Sequence, residues 1–286
     1  MELFLDLLRS VVYGVIEGIT EWLPISSTGH MILAEQVLKF SLSAEFMEMF
    51  RVVIQLGAIM AVVVLYFKKL WPFCGDNGCD SGLAKHIRWP VLRLWLKIIV
   101  ACLPAAVLGL LLDDWMDAHF YNSVVVAVML IVYGIAFILI ERRPRVPATT
   151  KLSRITYKQA IIIGAWQVLA LIPGTSRSGA TIIGGLLCGM SRACASQFTF
   201  FLAIPVMAGA SGLKLVKFLV GGGVFTVAEV GALLVGCIVA FVVSIMAIRF
   251  LMDYVKKHTF TIFGWYRIAL GIVVLGIWAL QTFVLA

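Results

Sequence analysis

The chain has 286 residues, of which 62% are hydrophobic and only 13% are charged, about half of the ~25% that soluble domains carry. So few charges cannot cover the surface of a soluble globule, and such high hydrophobicity excludes a disordered chain. The basic residues behind the net charge of +8 lie in short clusters between apolar runs, which indicates membrane topology and anionic lipid rather than nucleic acid. The composition therefore predicts an all-α polytopic membrane protein.

In chain order, the apolar residues form six uninterrupted runs and two interrupted ones. Each uninterrupted run has about the 20 residues that a helix needs to cross a bilayer. The six runs are 46–67, 90–112, 122–141, 195–219, 228–251 and 260–283. The run 3–40 is broken by PISSTG at 24–29, and the run 157–190 by PGTSRSG at 173–179. Such breaks are tolerated at membrane depth only in buried or cavity-lining backbone, so we expect two re-entrant helix–loop–helix hairpins beside six transmembrane helices.

The charges between the runs predict an orientation. The loops 68–88, 142–158 and 256–257 are basic, whereas the loop 113–121 is acidic. If the run 157–190 returns to the side from which it enters, all three basic loops face the cytoplasm, as the positive-inside rule favours. Both termini then lie outside.

The two halves of the chain are weakly related at an offset of 150 residues. Identical pairs are Gly14 with Gly164, Ser26 with Ser176 and Gly29 with Gly179. Each half, approximately 1–141 and 151–286, contains one broken run and three spans, so the halves enter the membrane from opposite faces. This predicts an inverted-topology repeat within a single membrane domain, in which the broken helices meet near the bilayer midplane.

The first hairpin carries two carboxylates, Glu17 and Glu21, four residues apart and therefore on one helix face. Two carboxylates so close repel each other unless a cation or a shared proton lies between them. Charged groups inside a membrane are costly, which makes them functional candidates by default. The pair is interpreted as a divalent-metal site or an acid–base pair, and the alternative is a protonated glutamic acid bonded to backbone.

Three hydroxyls follow these carboxylates, at Ser26, Ser27 and Thr28, with His30 close behind. Capping a helix needs one hydroxyl, so three in a row beside free backbone N–H groups favour an anion cradle. The imidazole of His30 is near enough in sequence to reach a hydroxyl and to act as its general base. Without these hydroxyls, His30 would be interpreted as a core histidine.

The second hairpin combines an arginine with glycines and hydroxyls. Arg177 keeps its charge, and its planar guanidinium fits phosphate oxygens; a structural salt bridge to Glu17 or Glu21 is the alternative. Further residues expected to bind substrate are Gln167, Gly174, Thr175, Ser176, Ser178 and Thr181. The two hairpins together offer the convergent charge that a phosphate or diphosphate needs, and their apolar surroundings indicate that this group belongs to a lipid.

Two of the six cysteines, Cys74 and Cys79, share a polar loop. Their spacing, taken with His86, is poor for a metal site. Two reduced thiols on a cytoplasmic loop are therefore expected.

The stretches EGITEWLPISSTGH at 17–30 and PGTSRSGAT at 173–181 resemble the two signature motifs of bacterial undecaprenyl-diphosphate phosphatases, also called bacitracin-resistance proteins. The resemblance covers nearly the whole chain, including the spacing of the spans. Trp22 and Ile25 stand where the family is expected to have Phe and Val. The resemblance implies a phosphoric anhydride hydrolase of the bacterial inner membrane that removes the terminal phosphate of undecaprenyl diphosphate. It also implies recycling of the lipid carrier for peptidoglycan synthesis, and bacitracin resistance.

The resemblance further implies roles for single residues. Glu17 and Glu21 correspond to an acidic pair that works with a divalent cation, Mg²⁺ or Ca²⁺. Ser27 corresponds to the nucleophile, His30 to its acid or base, and Arg177 to a phosphate clamp. The active site is expected to open to the outer face, with the isoprenyl diphosphate and membrane lipids as partners, no nucleic acid, and a homodimer as the assembly.

Two mechanisms fit the sequence equally. In one, Ser27 attacks the terminal phosphorus while His30 takes its proton, and water later hydrolyses the phosphoserine. In the other, His30 or Glu21 activates a water molecule for direct attack. A protein that flips or exports a phosphorylated lipid is the alternative from another class, because inverted repeats with broken helices are typical of transporters. A transporter, however, has no use for a nucleophile–base pair.

Overall fold

A computed structural model of the protein describes residues 2–38, 40–74, 86–142 and 146–283. Within these ranges the regular secondary structure is helical, apart from two isolated β-bridges. The helices of this part of the chain are α1 Glu2–Thr20, α2 Ser27–Val37, α3 Ala44–Val53, α4 Gln55–Leu70, α5 Trp89–Phe120, α6 Ser123–Glu141, α7 Tyr157–Val168, α8 Arg177–Leu187, α9 Arg192–Val220, α10 Val227–Lys257 and α11 Thr261–Phe283. The predicted all-α class is therefore confirmed.

Six segments of the described chain are long and apolar enough to cross a membrane, which confirms the predicted number of spans. They are Ala44–Leu65, Trp89–Leu112, Ser123–Glu141, Arg192–Val220, Val227–Lys257 and Thr261–Phe283. Between 22% and 50% of an 18-residue apolar stretch in each segment is buried inside the molecule. The remaining side chains of these segments are mostly apolar and face outward, as expected for a surface in contact with lipid and not with water.

The first span consists of two helices, α3 and α4, which meet at Ile54. The sequence predicted one uninterrupted helix over 46–67. In the first turn of α4, a Cβ atom on Gly57 would overlap the backbone carbonyl of Cys237 on α10. The helix α4 therefore touches α10 backbone to backbone at this point, an approach that only glycine permits.

The helix α5 extends farther than predicted. Its span was expected to end at residue 112, before an acidic loop over 113–121, but the helix continues to Phe120. The fall in hydropathy ends the apolar span but not the helix, because this stretch contains no proline or glycine to stop it. Asn122, whose side chain accepts a hydrogen bond from the N–H of Val125 at 2.9 Å, begins α6.

Both broken segments are packed against long helices. The helix α1 lies along α10, and α7 lies along α5. A Cβ atom on Gly14 of α1 would come within 2.7 Å of the carbonyl oxygen of Gly236 on α10, so these helices approach as closely as their backbones allow. The turn after α1 is anchored by Trp22, which is fully buried and meets the ring of Phe200 edge to face at 5.3 Å. Close packing of this kind holds an irregular backbone in one position.

The expectation of a reduced thiol at Cys74 is wrong, because this cysteine is disulfide-bonded. The backbone around it is drawn together by an antiparallel bridge between Phe73 and Ile87, in which the N–H of Cys74 donates to the carbonyl oxygen of His86 at 2.8 Å. Cys79, the other cysteine of that prediction, lies outside the described residues.

Candidate active site

The two breaks start their second helices in the same unusual backbone conformation. Ser26, before α2, has φ 73° and ψ 107°, and Ser176, before α8, has φ 68° and ψ 120°. Across the described residues, these are the two positions other than glycine with positive φ. The hydroxyl of Ser26 accepts from the N–H of Gly29 at 3.4 Å, and that of Ser176 from the N–H of Gly179 at 3.2 Å. Such conformations cost ~1–3 kcal/mol each and are concentrated at functional sites, so both half-helix N-termini are candidates.

One carboxylate of the first hairpin joins the two breaks. Glu21 Oε1 accepts hydrogen bonds from Arg177 Nη2 at 2.9 Å and from Arg177 Nε at 3.2 Å. Glu21 Oε2 accepts a hydrogen bond from the Ser27 hydroxyl at 3.1 Å. The Arg177 and Glu21 side chains are only 11% and 9% exposed. The expected nucleophile and the expected phosphate clamp, which belong to different halves of the chain, are thus connected through one buried side chain.

The other contacts of Arg177 fix its direction. Its Nη1 donates to the carbonyl oxygen of Thr199 at 3.1 Å, and its guanidinium lies 5.9 Å from the centre of the Trp22 ring. Thr181 was expected to donate to the substrate, but its hydroxyl donates to the carbonyl oxygen of Arg177 at 2.9 Å and also contacts the Thr199 hydroxyl at 2.9 Å. In this structure Thr181 therefore supports the first turn of α8, on which Arg177 lies.

The remaining polar residues of the second hairpin fall into two groups. Ser176 and Ser178 have hydroxyls 3.1 Å apart, and the Ser178 hydroxyl donates to the carbonyl oxygen of Leu23 in the first break at 3.4 Å. Thr175 and Gln167 are 0% and 2% exposed. Within the described chain, the Thr175 hydroxyl and both amide atoms of Gln167 have no hydrogen-bond partner. Buried polar groups of this kind call for water or a ligand.

Both ring nitrogens of His30 are engaged. Nδ1 lies 2.7 Å from the carbonyl oxygen of Ser26, and Nε2 lies 2.7 Å from the hydroxyl of Tyr266, whose ring stacks on the imidazole at 5.6 Å. A carbonyl oxygen can only accept, so the hydrogen is assigned to Nδ1, and Nε2 accepts from Tyr266. The base in contact with the Ser27 hydroxyl is Glu21, whereas the sequence favoured His30 for this contact.

Glu17 lies one helical turn before Glu21, because the N–H of Glu21 bonds to the carbonyl oxygen of Glu17 at 3.1 Å. The Glu17 side chain is 1% exposed, and its Oε1 has no hydrogen-bond partner in the described chain. Among the residues that the structure describes, no group of three or more histidine, cysteine, aspartate or glutamate side chains is arranged to hold a metal ion. Mg²⁺ is nevertheless held by one or two carboxylates together with substrate phosphates and water. An unpartnered buried carboxylate beside a second one fits the expected divalent cation.

A cavity of about 620 Å³ opens beside Glu17, within the ~300–1,000 Å³ typical of small-molecule sites. From the first hairpin, Ser27 and Thr28 also face it, and α3 and α9 contribute Arg51 and Lys214. The expected nucleophile is therefore accessible from a cavity whose wall also carries two cations.

Four residues at or beside this site escaped the sequence reasoning: Arg51, Lys214, Tyr266 and Arg267. Arg51 and Lys214 face the cavity, and Lys214 Nζ pairs with the carboxylate of Glu48 at 2.7 Å. Tyr266 bonds to the imidazole described above, and Arg267 is completely buried. The three cationic residues of this set, Arg51, Lys214 and Arg267, lie inside predicted spans. An ionisable side chain within an apolar run is by itself a functional signal, and that signal could have found them.

Comparison with known proteins adds an independent observation. Residues 10–273 match the family of the bacitracin resistance protein BacA. An undecaprenyl-diphosphatase of Enterococcus faecalis (strain ATCC 700802 / V583) is 59% identical over 278 residues, which cover 96% of this chain and 99% of the relative. Undecaprenyl-diphosphatases of Lactococcus lactis subsp. lactis (strain IL1403) and Desulfitobacterium hafniense (strain DSM 10664 / DCB-2) are 57% and 56% identical, covering 95% and 98% of this chain and 96% and 98% of the relatives. The chain belongs to the bacitracin resistance protein BacA family.

Proposed function

We propose that the protein hydrolyses undecaprenyl diphosphate to undecaprenyl phosphate and inorganic phosphate, recycles the lipid carrier of peptidoglycan synthesis and confers resistance to bacitracin. The relatives that it matches over nearly their full length are named undecaprenyl-diphosphatases. The observation that carries the proposal is the contact of Ser27 and Arg177 with the same carboxylate, Glu21. A hydroxyl nucleophile, a base and a phosphate-binding cation are the parts that a phosphatase needs.

The diphosphate binds between the N-termini of α2 and α8. Free N–H groups in the first turn of a helix carry partial positive charge and favour phosphate oxygens. Arg177 begins α8, and Ser27 begins α2 and faces the cavity. Ser176 and Ser178 supply further hydroxyls. The protein recognises the charged end of the lipid, and the apolar isoprenyl chain stays in the hydrocarbon core of the bilayer.

In the covalent mechanism, Ser27 Oγ attacks the terminal phosphorus while Glu21 Oε2, 3.1 Å away, takes the hydroxyl proton. The bond from this phosphorus to the bridging oxygen breaks, and undecaprenyl phosphate leaves with the electron pair. Arg177 releases the carboxylate of Glu21 and donates hydrogen bonds to the phosphoryl oxygens instead, over which negative charge is spread in the transition state. Water then attacks the phosphoserine, inorganic phosphate is released, and the proton on Glu21 returns to Ser27 Oγ.

The direct mechanism uses the same groups without a phosphoserine. Glu21 or His30 takes a proton from water, which attacks the terminal phosphorus in line with the bridging oxygen. Acid quenching during turnover of substrate labelled at the terminal phosphate separates the two mechanisms. Labelled Ser27 supports the covalent mechanism, whereas substantial turnover by Ser27→Ala requires direct attack by water.

Glu17 and Glu21 are the residues that would hold a divalent cation, Mg²⁺ or Ca²⁺. Such a cation, when bound, offsets the charge of the diphosphate as a Lewis acid. The support for this assignment is the unpartnered Oε1 of Glu17, which is buried one turn from Glu21. The Glu21–Arg177 bond leaves Glu17 as the carboxylate with a free oxygen.

The two broken segments are proposed to be re-entrant hairpins of an inverted repeat over approximately 1–141 and 151–286. Two observations support this. The serine caps at 26 and 176 have the same positive φ and bond to equivalent glycines. The helix pairs also correspond, since α1 packs on α10 as α7 packs on α5, and α6 packs on α11. In chain order α1 corresponds to α7, α5 to α10 and α6 to α11. Exchanging the two halves therefore turns the α1–α10 pair into the α7–α5 pair and leaves the α6–α11 pair unchanged.

The active site is proposed to open to the outer face of the bacterial inner membrane, since the basic loops are expected in the cytoplasm. An impermeant thiol reagent tests this in intact cells that carry Asp117→Cys or Lys151→Cys in a background without other reactive cysteines. Labelling at 117 alone agrees with the proposal, and labelling at 151 alone reverses the orientation. The expected homodimer is tested by the mass of the purified protein in lipid nanodiscs.

The proposed activity is tested by phosphate release from undecaprenyl diphosphate by the purified protein. Arg177→Ala is expected to abolish release, and Glu21→Gln is expected to slow it by about 10²–10⁴-fold. Ser244→Ala is the control for Ser27→Ala, because Ser244 is buried and its hydroxyl donates to the carbonyl oxygen of Gly18, away from the residues that line the cavity. Absence of release from folded protein, across several isoprenyl diphosphates and divalent cations, would contradict the proposal and favour lipid transport.

A further inference from the structure

A cation that the proposed chemistry does not use lies behind the site. Arg267 belongs to α11, inside the apolar span Thr261–Phe283, and it is 0% exposed. A charged side chain in such a position is costly and marks a functional role by default. Its guanidinium also lies 5.5 Å from the centre of the Tyr133 ring, a contact that partly replaces the lost water.

Arg267 is bonded to backbone carbonyls of both breaks. Nη1 donates to the carbonyl oxygen of Pro24 at 3.1 Å. Nη2 donates to the carbonyl oxygens of Gly174 and Thr175, each at 2.9 Å. A weaker bond runs from Nε to the carbonyl oxygen of Leu130 on α6 at 3.4 Å. One planar side chain therefore spans the first break, the second break and a transmembrane helix.

The bonded carbonyls occupy equivalent places in the two breaks. Pro24 is two residues before Ser26, and Gly174 is two residues before Ser176, the two serines with positive φ. The amino groups of a guanidinium are fixed in one plane. Bonds from Nη1 to one break and from Nη2 to the other therefore set the distance and the angle between the two half-helix N-termini.

We propose that Arg267 is a positioning residue that holds the break carrying Ser27 and the break carrying Arg177 in register across the active site. This inference rests on the proposed phosphatase function for its kinetic consequence but not for its structural one. The α8 side of the arrangement is tight, because a Cβ atom on Gly179 would lie 3.2 Å from Arg267 Nη1. Displacement of the guanidinium therefore moves the start of α8, where Arg177 lies.

The first test measures phosphate release by Arg267→Met and Arg267→Lys with purified protein. Misplacement of reacting groups by ~1 Å costs about 10²-fold in rate, so Arg267→Met is expected to lose about 10²-fold in kcat, with KM changed less than about threefold. Arg267→Lys keeps the charge but loses the planar fork of the guanidinium, so its kcat should lie between that of Arg267→Met and that of the unsubstituted protein. Arg192→Met is the control for loss of an arginine elsewhere, since Arg192 pairs with Glu141 and does not line the cavity; its kcat should be unchanged.

A double-mutant cycle separates positioning from general weakening of the fold. If Arg267 acts by placing Arg177, then Arg267→Lys and Arg177→Lys damage the same arrangement. The loss of kcat in the double variant should then be smaller than the product of the losses in the two single variants. Independent effects that multiply in the double variant, or full kcat in folded Arg267→Met, would overturn the inference. Arg267→Lys serves alone if Arg267→Met does not fold.

Hydrogen exchange tests the inference without any activity. In Arg267→Lys, the amides of 26–31 and of 176–181 are expected to exchange at least about tenfold faster together, because both breaks lose the same anchor. Arg192→Met should leave both segments unchanged. Exchange that rises in neither break, or in only one, contradicts the positioning role. Should the unsubstituted protein release no phosphate, the proposed function fails, and this measurement still decides the role of Arg267.

Discussion

Replacement of Glu21 by glutamine perturbs the site at the point where its parts meet. The wild-type carboxylate accepts from the Ser27 hydroxyl at 3.1 Å and from two nitrogens of Arg177 at 2.9 and 3.2 Å. Glutamine keeps the shape of the side chain and one acceptor oxygen, but it loses the charge and the basicity. Since general base catalysis contributes about 10²–10⁴-fold, we expect kcat of Glu21→Gln to fall by that factor.

The same substitution has a calculable effect on stability. Breaking a buried ion pair by removing one partner costs ~3–5 kcal/mol. Glu21→Gln should cost less, about 1–3 kcal/mol, because the amide oxygen still accepts from Arg177, whose Nη1 also keeps its bond to the carbonyl oxygen of Thr199. Thermal unfolding in detergent measures this loss, and phosphate release at a temperature where the variant is folded measures kcat.

Glu141→Gln is the matched control for this experiment. Glu141 is 6% exposed as a side chain and pairs with Arg192 at 2.6 Å, the same type of bond outside the cavity. The control should lose a similar amount of stability and keep kcat within about threefold of the unsubstituted protein. The reasoning is refuted if folded Glu21→Gln retains more than a tenth of the original kcat, or if Glu141→Gln loses as much kcat as Glu21→Gln.

Three further predictions concern the surroundings of this carboxylate. Glu17→Gln should raise the concentration of divalent cation needed for half-maximal phosphate release by at least about tenfold, and an unchanged titration would remove Glu17 from the cation site. Ser26→Ala and Ser176→Ala should each lower the free energy of unfolding by ~1 kcal/mol through loss of a cap, and the glycine variants should lose less, because glycine adopts positive φ at no steric cost; equal losses for alanine and glycine would contradict this. Tyr266→Phe removes the hydrogen bond to His30 Nε2 and should lower kcat while KM stays constant; an unchanged kcat would show that this bond has no part in turnover.

Much of the fold follows from local sequence. Membrane solvation requires about 20 apolar residues for each spanning helix, and the six runs stand out for that reason. Their ends were less predictable: α5 continues to Phe120 and the first span breaks at Ile54, because a helix end depends on caps and on packing as well as on hydropathy. Proline and glycine marked both interrupted runs, and each run is indeed interrupted there in the structure.

Which side chains meet was decided by tertiary structure. The sequence named Ser27, Glu21, His30 and Arg177 but favoured His30 as the partner of the serine, since the two are close in the chain. In the structure the imidazole turns to Tyr266 on α11, and the serine bonds to Glu21. Ser27 and His30 both lie in the first turn of α2, so nearness in sequence does not decide their partners; these are set by Glu21 and Tyr266, which the packing of other segments brings to them.

The sequence by itself determined that this chain is an all-helical membrane protein with two polar breaks, and it predicted a site for a lipid-borne anion, because hydropathy, helix breaking and charge are properties of short segments. Only the tertiary structure decided that Arg267, far along the chain, bonds to the carbonyls of Pro24 and Gly174. An arginine in an apolar run must find acceptors, but which acceptors it finds depends on how distant helices pack. Contacts between segments more than 90 residues apart are set by that packing, and they hold the two breaks together.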